Sequence, residues 1–221
     1  MNRYLPDQFR PWLIFSLAGL MLASGCVSGP PASQQSPREA TPSDLEFENG
    51  AKRAPEPGTL YVMAQLLCEQ GKDEQAQTVL VRIIQDHPEF MPAYCDLSAI
   101  QMRHHQDGEA VKTLVLGLKV SPHESILLND LGMCEMVRGN HAAAAEAFTK
   151  AAGWAPDVPR YRSNLAAALG LMGRYGESVA LYRQIMPTSD AYHNEAVLCS
   201  ARGDHEAADA FKQAAPQESS Q

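Results

Sequence analysis

Along most of the chain, apolar and small positions recur in paired helical patterns separated by glycine or polar turns. Ala76, Ala110 and Ala144 stand 34 residues apart, and Pro88, Pro122 and Pro156 repeat in the same step. Two registers sharing one spacing mark an internal repeat. The turns fall at Gly71-Lys72-Asp73-Glu74, Gln106-Asp107-Gly108-Glu109, Gly139-Asn140-His141, Gly173-Arg174-Tyr175-Gly176 and Gly203-Asp204-His205. Each proline closes a unit, because proline disfavours helix in the residue before it. The pattern predicts an all-α solenoid of about five helix–turn–helix units over residues 57–215.

Period and spacing resemble the tetratricopeptide (TPR) repeat. That family places a small residue eight positions into helix A, and Ala64, Ser98, Gly132, Ala166 and Ala196 match the slot. A second small residue opens helix B, matched by Ala76, Ala110, Ala144 and, less typically, Ser178. The large residue four positions later is Leu80, Leu114, Phe148 or Tyr182. The next small slot holds Ala151, with departures at Ile83, Gly117 and Ile185. Small side chains let two helices approach to about 8–10 Å, and the bulky one fills the hollow beside them. Pro187 should cut the fourth helix B short, so that Ala196 follows Ala166 by 30 residues rather than 34. The fifth helix B should end near Ala215, with Glu206, Asp209, Lys212 and Gln213 forming the polar outer face that terminal repeats need.

The chain has 221 residues, with 18 Lys and Arg against 26 Asp and Glu and a formal charge of −8. That acidic balance argues against nucleic acid as a partner, since such binders concentrate basic residues on one face. No G-x-S-x-G, H-E-x-x-H, Walker or dinucleotide-binding glycine motif occurs, so neither enzymatic activity nor a cofactor is expected. The seven histidines are scattered, and the adjacent His104 and His105 cannot share a helix face, so no metal site is expected. His141 and His205 occupy the turn slot where the TPR family places tyrosine, as Tyr175 does in the fourth unit. Cys68, Cys95, Cys134 and Cys199 all fall in A helices. They read as small buried hydrophobes, with a Cys68–Cys95 disulfide the alternative in an oxidising compartment.

The first residues carry Arg3 and Arg10, then the apolar run from Leu13 to Leu22, then Ala23-Ser24-Gly25-Cys26. A charged start, a short apolar core and a small-residue end predict a secretory signal over residues 1–25, with an uncleaved anchor the alternative. The last four residues resemble a bacterial lipobox, which implies cleavage before Cys26 and lipidation of its sulfur. Val27, rather than Asp, follows the cysteine; by the lipoprotein sorting pattern this implies the outer membrane. Residues 26–56 are rich in Pro, Ser and Gln and read as the lipidated cysteine and a tether, too poor in apolar residues to fold. Leu45-Glu46-Phe47 is the exception, a short segment able to dock on the array. Residues 216–221 read as a flexible tail.

In the TPR family, helix A lines a concave groove through fixed positions. Mapped here, the resemblance implies a partner-binding groove built from Tyr61, Gln65, Asp96, Arg103, Asn129, Asp130, Met133, Arg160, Asn164, His193 and Asn194, with Cys95, Met102, Met136, Ser163 and Val197 beside them. Asn164 and Asn194 sit where peptide-binding members hydrogen-bond a ligand backbone, although asparagine is common there whatever the ligand. Met102, Met133 and Met136 read either as an adaptable apolar floor or as core between A helices. The two-Lys, two-Asn carboxylate clamp of chaperone-binding members is absent.

The fourth unit, Tyr161-Arg162-Ser163-Asn164 through Gly176-Glu177-Ser178, and the Asn194-Glu195-Ala196-Val197-Leu198 that opens the fifth are similar to TPR lipoproteins of the tight-adherence (Flp) pilus apparatus, the TadD family. The plan of signal, lipobox, tether and repeats is similar as well. The resemblance implies a protein–protein interaction scaffold, anchored in the outer membrane and facing the periplasm, that assists assembly of the pilus or its secretin. An envelope adaptor recruiting cell-wall or polysaccharide enzymes is the alternative.

Overall fold

The computed structural model describes residues 56–216. The signal sequence, Cys26, the tether with Leu45-Glu46-Phe47, and the last five residues lie outside the described residues. Ten helices occupy the described residues: α1 (Pro57–Glu69), α2 (Asp73–Asp86), α3 (Met91–Arg103), α4 (Asp107–Val120), α5 (Ser125–Val137), α6 (His141–Trp154), α7 (Pro159–Leu171), α8 (Tyr175–Tyr182), α9 (Thr188–Arg202) and α10 (His205–Ala214). No strand occurs among the described residues. Odd-numbered helices are the A helices and even-numbered ones the B helices, giving five antiparallel pairs. Each helix packs on its neighbours in sequence, and α3, α5, α7 and α9 also pack on one another in order.

The turn within each pair is set by backbone conformation. Gly71, Gly139, Gly173 and Gly203 all have positive φ. In each turn the following amide reaches back to the last helical turn, as in Lys72 N to Leu67 O (2.9 Å) and Arg174 N to Leu169 O (2.9 Å). This is the Schellman arrangement, which satisfies otherwise orphaned carbonyls. In the second pair the left-handed position falls on His105 (φ 59°), in register with Gly71, Gly139 and Gly173, while Gly108, expected in that turn, lies in the first turn of α4. The same closing bond forms, Gln106 N to Gln101 O at 2.8 Å. An L-residue there costs about 1–2 kcal/mol. His105 is exposed, so His105→Gly should raise stability by about 1 kcal/mol, net of the extra freedom glycine gains in the unfolded chain. An unchanged urea midpoint would show that His105 bears no such cost.

The small and large slots form the core. Ala64, Ala76, Ala110, Ala144, Ala166 and Ser178 are each at most 1% exposed, and Leu80, Leu114 and Phe148 are fully covered. Ala64, Ala76, Leu80 and Ile83 of the first pair bury with Ala93, Leu97 and Ile100 of α3, so the core continues from unit to unit. Where the small slot carries glycine, the reason is steric. A Cβ on Gly132 would lie 2.5 Å from Phe148 Cε1, and one on Gly117 would lie 2.7 Å from Leu127 Cδ1 and 3.0 Å from the Tyr94 ring. Gly117 thus makes room for Tyr94, whose hydroxyl donates to the Pro88 carbonyl at 2.9 Å.

The far end is irregular. Helix α8 has only 8 residues and gives way to turns before Pro187, which caps α9. Asp204 caps α10, its side chain accepting from Ala207 N at 3.1 Å. Glu206, Asp209, Lys212 and Gln213 on α10 are exposed, with Lys212 bonded to Asp209 at 2.9 Å.

Candidate functional site

The A helices set the expected groove residues side by side as two polar clusters. Tyr61 and Gln65 on α1 face Asp96 on α3, and the Tyr61 ring meets Phe90 edge-on at 5.2 Å. Burial, reinforced by the Asp96 carboxylate, pushes the Tyr61 hydroxyl up to about 12. Burial, together with the neighbouring Asp130 carboxylate of α5, pushes the Cys95 thiol up to about 12. Asp130 accepts from Asn129 Nδ2 at 3.1 Å. Burial raises the Asp130 carboxyl, opposed by the Asn129 bond, the Cys95 thiol and the nearby Arg160. This second cluster extends into α7, where Asn164 Nδ2 donates to Asn129 Oδ1 at 2.8 Å. At physiological pH the face therefore presents neutral donors around partly covered carboxylates.

Repeat register explains this alignment. Asp96, Asp130, Asn164 and Asn194 occupy one slot on successive A helices, 34, 34 and 30 residues apart. Met133 and His193 are exposed on the same helices, and Arg160 is exposed beside Tyr161, its guanidinium 5.2 Å from the ring centroid.

Several of the expected groove residues already have partners within the protein. Asn164 and Asn194 are half-buried and already bonded within the protein, Asn194 Nδ2 lying 3.2 Å from Met186 Sδ. Arg103 turns away from the polar clusters to the loop edge, where its Nη2 donates to Asp73 Oδ1 at 2.9 Å beside His104, also 2.9 Å from Asp73. Those two partners hold the Asp73 carboxyl below its usual range, Arg103 first. Met102 and Met136 pack against core clusters, which leaves Met133 as the exposed methionine of the three. All four described cysteines are free thiols, Cys134 and Cys199 buried and Cys68 and Cys95 half-buried, so Cys68 and Cys95 are not joined. Of the turn-slot residues, Tyr175 and His141 are half-buried, whereas His205 is exposed.

Sequence reading missed a buried carboxylate. Glu195 of α9 is fully covered, one oxygen accepting from Ser178 Oγ and the other without a partner. Burial pushes its carboxyl up to about 7, with the Ser178 bond opposing. The signal was present in the register: Leu97, Leu131 and Leu165 occupy the slot in the preceding A helices, and Glu195 replaces them. Gly170 stands beside it at a position filled by Met102 and Met136 in earlier units. A Cβ there would lie 2.7 Å from Leu198 Cδ1 and 3.0 Å from Glu195 Oε1.

Comparison with known proteins agrees with this geometry. A tetratricopeptide-repeat family model matches residues 159–184, which span α7 and α8. Superkiller complex protein 3 of Mus musculus and of Homo sapiens are each 30% identical over 87 residues. The match spans 39% of this chain but only 6% of theirs, a short stretch of far longer proteins. Among solved structures, MamA superposes with a TM-score of 0.56 at 15% identity, covering 68% of this chain and 90% of its own. YrrB, a TPR protein with an unusual peptide-binding site, gives 0.56 at 16% identity over 78% of this chain and 90% of its own. A tetratricopeptide repeat protein from Parabacteroides merdae gives 0.60 at 17% identity, over 76% and 67%. At such identities the likeness is one of fold. Five helix pairs, their shared slots and these neighbours give the described region the fold of a tetratricopeptide-repeat solenoid.

Proposed function

We propose that the protein is a non-catalytic interaction scaffold whose A-helix face receives a segment of a protein partner, and that it acts in assembly of a tight-adherence pilus or its secretin. The observation that carries the reading is the polar slot running through Asp96, Asp130, Asn164 and Asn194, with Met133 and His193 exposed on the same helices. Polar groups set at repeat spacing suit an extended backbone, which offers donors and acceptors at regular intervals. The unusual peptide-binding site ascribed to YrrB agrees with a peptide as the ligand class. The signal and lipobox support anchoring in the outer membrane through Cys26, facing the periplasm, and the resemblance of the fourth and fifth units supports the pilus role.

Crosslinking and affinity capture of the lipidated protein from its own envelope tests the reading. Secretin or pilus components should be recovered, and Cys26→Ser should release the protein from the membrane. Met133→Glu with His193→Glu should cut that recovery at least tenfold (about 1.4 kcal/mol) without moving the melt, because both side chains are exposed. Recovery of cell-wall synthases or hydrolases without pilus parts would instead establish the enzyme-adaptor reading.

A further inference from the structure

The two ends of the solenoid differ. At the far end, α10 turns exposed Glu206, Asp209, Lys212 and Gln213 outward. At the near end, α1 leaves Met63 and Leu66 each 52% exposed. Repeat register shows what these two residues lack. Their equivalents on α3 are Leu97 and Ile100, only 4% and 1% exposed, and both bury against Ala76, Leu80 and Ile83 of the preceding helix B. The equivalents on α5 and α7 are Leu131 with Cys134 and Leu165 with Ala168, all buried or half-buried. Met63 and Leu66 therefore present the same unit-to-unit interface with no helix B against it among the described residues.

We propose that this end of the array is a docking site for an amphipathic helix supplied by another protein, one that presents the apolar pattern of α2. The required pattern is internal to the chain: a small residue at the position of Ala76, then aliphatic residues at those of Val79, Leu80, Ile83 and Ile84. The surface suits such a helix because it continues an interface the array already builds between its own units. Along α1 it is also uncharged, since no ionisable acid or base apart from the Tyr61 hydroxyl precedes Cys68 and Glu69, so the incoming apolar face buries no charge of that helix. The chain's own preceding residues do not carry the pattern. Between residues 27 and 56 the large apolar side chains are Val27, Leu45 and Phe47, and the last two stand two apart rather than three or four. A second copy stacked head to tail would bring the charged outer face of α10 against Met63 and Leu66. The site is separate from the A-helix slot, and its fate is independent of the pilus reading.

The test uses the full chain and a labelled, helix-stabilised peptide of the α2 sequence, residues 73–86, stapled through the exposed positions of Thr78 and Arg82. Fluorescence anisotropy should show saturable binding, weakened at least tenfold by Met63→Glu with Leu66→Glu and abolished when the peptide carries Leu80→Asp. The melt of the double variant should stay unchanged, since both side chains are already half in water. No binding, or binding indifferent to those changes, overturns the proposal. A photo-crosslinking residue at position 66 in cells identifies the occupant. An adduct within a partner helix of the stated pattern supports the proposal. An adduct to residues 27–56, to a second copy or to nothing overturns it.

Discussion

Gly132→Leu should destabilise the array by about 3 kcal/mol, at the upper end of what overpacking a close-packed core costs. The cause is the crossing of α5 and α6, where a Cβ on Gly132 would lie 2.5 to 2.8 Å from three atoms of the Phe148 ring. Phe148 is fully covered and cannot swing into solvent. Even Gly132→Ala should be felt, and the ring should account for it: Phe148→Leu in that background should restore part of the loss. Phe148→Ala alone should cost about 3–5 kcal/mol by leaving a cavity. The double variant Gly132→Ala, Phe148→Ala should lose less than the sum of the single losses, because the new methyl group occupies space that the ring vacates. Urea melts of the four proteins decide the matter. Additive losses would mean that these two residues do not meet at the crossing.

Glu195→Gln should make the protein more stable at pH 8 and leave it nearly unchanged at pH 4.5. Burial raises the folded-state carboxyl to about 7, above an unfolded value of about 4.3. The native state thus binds more protons than the unfolded chain between those values, so stability falls as pH rises through that window. Below it the buried group is neutral and exacts nothing; above it the full penalty applies, on the order of 3 kcal/mol. Glutamine keeps an acceptor for Ser178 Oγ and carries no charge, so the variant should gain up to that amount at pH 8. Subtracting its melts from those of the parent at each pH isolates this carboxyl from the other titrating groups. A difference constant across pH 4.5 to 8 would show that Glu195 titrates as an exposed carboxylate. The position bears on the fold, since Glu195 lies where the shortened α8 meets α9. Its ionisation also opposes that of Tyr182, whose hydroxyl is pushed upward by burial and by the Glu195 charge.

Side-chain pairing was less legible than the helices. Arg103 holds the groove register in helix A, yet the start of α2 places Asp73 close enough to capture it, and nothing in a 34-residue period records that distance. Asn164 carries the residue type of a peptide-binding slot, but the approach of α5 to α7 brings Asn129 to 2.8 Å and occupies one of its donors. His105 shows the converse: the period alone places it with Gly71, Gly139 and Gly173, while the visible Gly108 drew the turn three residues too far. Glu195 was equally visible as the one carboxylate among Leu97, Leu131 and Leu165, once the 30-residue step after Pro187 is counted.

The repeat, the five helix pairs, the residues at their crossings and the polar outer face of α10 are all legible in the pattern of residues along the chain. These depend on which side chains are small, large or polar at fixed spacing, and a repeat unit reads its own neighbours. Tertiary structure alone decided which polar groups are already partnered, that Glu195 is sealed from water, and that Met63 and Leu66 are left open at the near end. Those outcomes depend on distances between helices far apart along the chain. Covering a group by even one neighbour changes its solvation, and with it whether it serves as core, as a bonded ladder or as a free surface.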